Sequence, residues 1–190
     1  MLRWMTTVIA TGALMVTGGV ATAPAALADG PDTPDEVIAE IEALEWPEYG
    51  LGDEDPDISV AGWLLVNLGY LPTSYELPND EFTEELEDAV LEFQGDGDID
   101  LPETGRLDQE TWDNLRKRNY GIPVQLGDTG ERVFAVQYNL NEDYGYDLAV
   151  DGIYGPNTQS AVIEMQEEFG IDPDGLVGVI TFRALVAGGV

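Results

Sequence analysis

Between residues 126 and 185 the apolar positions fall into three groups at helical spacing: Val133, Val136 and Leu140; then Ala161, Val162, Met165 and Phe169; then Phe182 and Leu185. Each group has a helix start in front of it. Asp128, with Glu131 three residues later, reads as a capping box, in which the cap oxygen accepts one free backbone N–H and the carboxylate returns to another. Gly155 before Pro156 is a second start, since proline at the first helical position lacks only an N–H that would go unbonded there. Gly178 opens the third. A single short helix cannot bury such a stripe, whereas three can bury it against one another. Further upstream, Thr33-Pro34-Asp35-Glu36 reads as the cap, first-turn proline and capping-box acid of a short helix lined by Val37, Ile38, Ile41 and Leu44. That helix would either pack on the unit that follows it or serve as a spacer.

The pattern occurs twice. Leu51-Gly52-Asp53 matches Leu126-Gly127-Asp128, and Ile58, Ala61 and Leu65 then fall on Val133, Val136 and Leu140. Phe82, Thr83 and Phe93-Gln94 meet Tyr154, Gly155 and Met165-Gln166, while Gly105, Asp108, Thr111, Trp112 and Leu115 meet Gly175, Gly178, Thr181, Phe182 and Leu185. Thr83 and Asp108 replace glycines where a helix cap is wanted, and both are good caps. The first copy departs from the second at Asn79-Asp80, where the second has Asp151-Gly152, and at Gly62, which stands at the place of Gln137. It also has a longer loop over residues 71–78 and two extra residues within 95–100. The expected organisation is an acidic leader with a short helix over residues 29–45, a diverged three-helix module over 46–118, a short linker, and a second module over 122–188.

In the second copy the pieces run G-D-x-G-x-x-V, V-Q-x-x-L, D-G-x-Y-G-x-x-T-x-x-A-V-x-x-M-Q and D-G-x-V-G-x-x-T-F-x-x-L. In that order they resemble the peptidoglycan-binding domain, a small three-helix module that accompanies many cell-wall hydrolases. The resemblance implies an all-α chain of two tandem three-helix bundles, the first diverged. It also implies non-catalytic attachment to the glycan or stem peptide of bacterial wall, with no cofactor. A reading from another class is an interaction or regulatory module that holds a separate cell-wall enzyme. In a further reading the first copy only braces the second.

Composition narrows the chemistry. The 190 residues contain no cysteine and no histidine, which removes disulfides, thiolate nucleophiles, serine triads and the histidine-bound zinc of wall peptidases and amidases. Residues 1–28 read as an export signal, with Arg3, an apolar run over 5–20 and the small residues Ala26 and Ala28 before cleavage, so the secreted chain would begin at Asp29 and have no membrane partner. It would keep six basic residues against 38 acidic ones, a net charge of −32. Nucleic acid is excluded as a partner, because affinity there comes from neutralising phosphates. Walls are themselves often anionic, so docking must rest on short-range contacts, and moderate salt should strengthen it or leave it unchanged.

Exposed aromatics beside hydrogen-bonding side chains are the natural binders of sugar edges and short peptides, which makes Tyr144, Tyr146, Tyr154 and Asn157 the candidate ligand residues. Against this, Tyr154 matches an aromatic that is usually buried in the family the chain resembles, and Gln137 and Gln166 are placed to bond backbone at helix ends. Asp151, Gly152, Gly155, Asp174 and Gly175 read as turn residues. Arg116-Lys117-Arg118 closes a helix, where positive charge favours the carbonyl end of the dipole.

Other motifs carry less. Leu101-Pro102-Glu103-Thr104-Gly105 spells a sortase pentapeptide, but a whole module follows it; the same stretch resembles metalloproteinase prodomains, which act through a cysteine absent here. Asp96, Asp98 and Asp100 alternate like calcium-loop ligands, but Leu101 and Leu107 then occupy the glycine and glutamate places, which leaves an acidic turn and no metal site. A pair of carboxylates would suffice for glycoside hydrolysis, but small three-helix units leave little room for the cleft it needs. The chain is therefore read as having no catalytic residues.

Overall fold

A computed structural model describes residues 32–99 and 101–189; the expected export signal and Asp100 lie outside the described residues. The described residues form seven helices and no strand: α1 (Asp35–Glu42), α2 (Pro56–Leu68), α3 (Glu84–Gln94), α4 (Gln109–Tyr120), α5 (Glu131–Tyr144), α6 (Pro156–Phe169) and α7 (Val179–Gly188). Helices α2 to α4 belong to the first copy and α5 to α7 to the second. Isolated backbone bridges repeat with the sequence: Tyr49 with Leu107 answers Val124 with Val177, and Glu54 with Glu81 answers Thr129 with Ile153.

Most helix starts follow the sequence. Thr83 accepts the Leu86 N–H at 3.2 Å and Asp108 accepts that of Thr111 at 2.9 Å, while Gly155 and Gly178 cap α6 and α7. Two starts differ from expectation. Helix α5 is capped by Gly130 at φ 114°, and no Asp128–Glu131 box forms. The reason is the bridge to Ile153 and the Gly130 N–H donated to the Gly152 carbonyl at 2.9 Å, which hold residues 128–130 outside the helix. Asp128 instead accepts the Gln125 N–H at 3.0 Å, as Asp53 accepts that of Gly50 at 2.8 Å. Helix α1 begins after Pro34 without a side-chain cap, and the Thr33 hydroxyl accepts the Asp172 N–H at 3.0 Å.

That contact shows where α1 goes. It packs on α7 of the second copy, neither on the first copy alone nor as a free spacer. The Arg183 guanidinium donates to the carbonyls of Ile41 and Leu44 and pairs with Asp113 at 2.9 Å. Arg116 is buried rather than simply facing a helix dipole: it pairs with Glu42 at 2.8 Å and Asp113 at 3.2 Å. Both guanidiniums lie over Trp46, which stacks on Trp112 at 5.5 Å. Tyr120 stacks on Phe182 at 4.3 Å, so the last helices of the two copies share one aromatic layer. Helices α2 and α5 form the largest helix contact, and the buried apolar residues make one continuous core.

Candidate functional site

Inside each copy a buried glutamine ties a helix to the loop beyond it. Gln94 donates to Thr104, the Arg106 carbonyl and Thr111, and accepts the Gly105 N–H at 3.0 Å. Gln166 repeats this with Asp174, the Leu176 carbonyl, Thr181 and the Gly175 N–H at 2.8 Å. The second copy has another such clamp: Gln137 donates to Asp151, the Ile153 carbonyl and Thr158, and accepts the N–H groups of Asp151 and Gly152. The left-handed turn at Gly152, φ 68°, lies under the Phe134 ring, with which any Cβ would collide. Gln137, Gly152 and Gly175 therefore shape loops, and the Gln137 amide is spent doing so, whereas Asp151 holds its loop through one carboxylate oxygen.

The Gln137 clamp shapes a shallow cleft of about 180 Å³ beside the start of α6, with Ile153, Pro156 and Asn157 on its rim. Ile153 is 53% exposed, and Leu126, one residue before the Gly127 N–H that bonds the Tyr154 carbonyl, is 50% exposed. Asp151 is exposed, and the N–H of Ile153 followed by the Gln137 amide holds its carboxyl below the ordinary carboxylate range. The cleft thus offers an apolar rim, one amide side chain and one stable carboxylate.

The four ligand candidates do not converge. Asn157 is exposed on the rim. Tyr154 is wholly buried and donates to the Gly175 carbonyl at 2.9 Å, with burial raising its phenol. Tyr144 donates to the carbonyls of Ala184 and Leu185 at 2.8 Å, and its ring meets the Phe169 ring edge-on. Tyr146 is half-buried beside Glu164, two helical turns along α6 from Asn157.

The corresponding cleft of the first copy is larger, about 760 Å³, because the loop over 71–78 is longer. Glu81 replaces Ile153 and Glu84-Glu85 replace Pro156-Asn157; with Glu76, four carboxylates line it. The clamp is gone, and at Gly62 the Leu77 side chain fills the space, 2.9 Å from where a Cβ would stand. Asp80, which replaces Gly152, accepts the Tyr138 hydroxyl of the second copy at 2.8 Å and that of Ser59 at 2.6 Å.

A second group lies where α2 meets α5, with Asp57 and Asn139 buried and Asp143 partly so. Asn139 donates to Asp57 at 3.1 Å and to Asp143 at 2.6 Å, Tyr49 donates to Asp57 at 3.3 Å, and the Asn139 side-chain oxygen has no partner. Burial, then Asp143 and Asp55, pushes the Asp57 carboxyl well up; burial, then Asp55, pushes Asp143 up to about 7. The sequence gives no sign of this group, because Asp57 in a first helical turn looks like any exposed acid there. Among the described residues, no group of three or more potential ligands is placed to hold a metal, and no helix is long and apolar enough to cross a membrane.

Comparison with known proteins agrees with the repeat. The family model of the peptidoglycan binding domain matches residues 54–115 and 129–185. The spore cortex-lytic enzyme of Bacillus subtilis (strain 168) is 39% identical over 64 residues, 33% of this chain and 21% of that protein. The enzyme of the same name from Halalkalibacterium halodurans is 42% identical over 55 residues, 29% of this chain and 17% of that protein. An uncharacterized protein in the bpoA1 3′ region of Kitasatospora aureofaciens is 41% identical over 59 residues, 30% of this chain and 50% of that protein. The chain thus spans about a fifth of the cortex-lytic enzymes it matches. No solved structure matches.

Proposed function

Because this chain belongs to the peptidoglycan binding domain family, we propose that it is an exported, non-catalytic protein that docks on bacterial wall through its second copy. The observation that carries the choice of copy is the contrast between the two clefts. The second keeps its clamp and an apolar rim, with Asn157 to fix orientation, whereas four glutamates line the first and would repel an anionic wall. Tyr146, in the loop after α5, stands beside Glu164 of α6, two turns from Asn157, where an extended ligand leaving the cleft would pass. Tyr144 and Tyr154 are committed to backbone carbonyls and have no part in docking in this reading.

Attachment without catalysis is supported by the chemistry at hand. The chain has neither histidine nor cysteine, and the two carboxyls whose burial raises them most, Asp57 and Asp143, sit between helices and not in a cleft. The cortex-lytic relatives align over only a fifth of their length, so their activity stays with them. The test is co-sedimentation of residues 29–190 with insoluble peptidoglycan stripped of protein and anionic polymer. The chain should pellet, and moderate salt should not release it. Release of soluble fragments would convict the chain of hydrolysis. Pelleting only in the presence of a wall enzyme would favour the partner-holding module instead.

A further inference from the structure

A groove of about 350 Å³ runs between the two copies, and neither copy would have it alone. Trp63 of α2 and Phe134 of α5 meet across it, stacked at 6.0 Å, and the Tyr138 edge closes on Trp63 at 5.1 Å. The loop over 71–78 supplies Thr73 and Leu77, and Val150 lies on the far side. The departures of the first copy therefore build this groove. Its long loop forms a wall, Gly62 admits Leu77, and Asp80 fixes the Tyr138 hydroxyl.

The lining selects a ligand. Trp63 and Phe134 stack on each other and Tyr138 packs its edge on Trp63, so the rings are largely engaged with one another rather than spread for a sugar ring. The Tyr138 hydroxyl is already bonded, which leaves few polar groups for a ligand rich in hydroxyls. The one charged group in the lining is Glu131, which forms no ion pair among the described residues. The neighbouring Arg132 guanidinium is engaged with the carbonyls of Asn119 and Ile122, both at 2.7 Å. An apolar trough with one unpaired carboxylate fits an aliphatic stem ending in an ammonium, and a chain of net charge −31 attracts that ammonium from a distance.

Resting on the wall-docking reading, we propose that the groove between the copies binds the stem peptide of peptidoglycan. The aliphatic part of its diamino acid lies along Trp63, Leu77 and Phe134, and the ammonium pairs with Glu131. The second-copy cleft and this groove then engage different parts of one polymer, and the long loop of the first copy is the device that adds the second contact.

The experiment is a titration of the full chain, followed by ¹H–¹⁵N spectra, with the synthetic peptide L-Ala-D-isoglutamate-L-Lys-D-Ala-D-Ala and with the same peptide acetylated on the lysine amine. The Trp63 indole N–H signal, assigned by its loss in Trp63→Phe, should move with the free amine. Acetylation should weaken binding by about tenfold, as expected for loss of a charge-assisted contact. Glu131→Gln should weaken it equally and make acetylation immaterial, and added salt should weaken it, opposite in sign to wall docking. A Trp63 signal that stays still at high peptide, or effects of acetylation and Glu131→Gln that simply add, would overturn the proposal. If the chain pellets with wall while Trp63 stays still, only the groove assignment falls; if neither occurs, both fall.

Discussion

The two copies share a backbone plan and diverge most at one junction. The bridges and the Gln94 and Gln166 clamps repeat, so the joint between the second and third helices works alike in both, two extra residues within 95–100 aside. The joint between the first and second helices does not. In the second copy Gln137 holds a tight loop over an exposed cleft; in the first, a glycine takes its place, a leucine fills the space, and the loop turns toward the neighbouring copy. A repeat can lose the element that shapes one surface without losing its fold, provided the vacated positions are packed again. Here they are packed at the junction, through Leu77 beneath the loop and Asp80 under Tyr138.

The comparison breaks most completely if the second copy stands alone. Removing residues 29–120 takes Asp113 and the Ile41 and Leu44 carbonyls from Arg183, and Trp46 and Tyr120 from Phe182. Deletion takes the cover of Arg183 together with its partners and exposes the apolar face around Phe182, at about 25 cal/mol for each Å² uncovered, against a total stability of about 5–15 kcal/mol for a domain. The remainder should be unfolded, with the far-ultraviolet helical signal lost and amide resonances collapsed. A cooperative thermal transition from residues 121–190 would show the copies to be independent after all.

Next in size is a pH effect at the junction. The Asp57 and Asp143 carboxyls lie above the ordinary range in the folded chain, Asp143 at about 7, so between about pH 4 and pH 7 the folded chain holds more protons than the unfolded one. Stability is then greatest on the acid side of that window and falls as pH rises through it. After discounting for the partial exposure of Asp143, going from pH 8 to pH 5 should add about 2 kcal/mol in urea denaturation. Asp143→Asn should remove its own share of that slope and raise stability at pH 8, while Asp57, raised chiefly by burial, keeps the remainder. A slope unchanged when both Asp57 and Asp143 are asparagine would place its origin in the general surface charge instead.

The limits of the sequence follow the same division. Helix stripes, the repeat and most caps were legible, because they depend on local spacing and on residue types with one conformational use. The Asp128 box failed because a tertiary bridge to Ile153 overrode a local signal. The seat of α1 on α7 was hidden because the arginines that hold it belong to other helices. Tyr144 and Tyr154 have the residue type of ligand binders, and it is the tertiary fold that commits their hydroxyls to backbone carbonyls. Of the residues around the proposed cleft, Asn157 was among the sequence candidates, whereas the apolar rim at Ile153 needed the exposure of the side chain.

The smallest expected effect sharpens the contrast between the clefts. Ile153→Glu gives the second copy the acid that the first carries at Glu81, and both positions are exposed, so the fold should tolerate the change within about 0.5 kcal/mol. Losing one apolar contact and adding one repulsive charge should weaken sedimentation with wall by up to about tenfold. The repulsive part should recover in salt and the apolar part should not. The reciprocal change, Glu81→Ile, should gain little, because Glu76, Glu84 and Glu85 still line the first cleft and no glutamine holds its loop. If Glu81→Ile alone conferred binding on a chain already disabled by Ile153→Glu, charge at one position would separate the copies, and the lost clamp would matter only for packing at the junction.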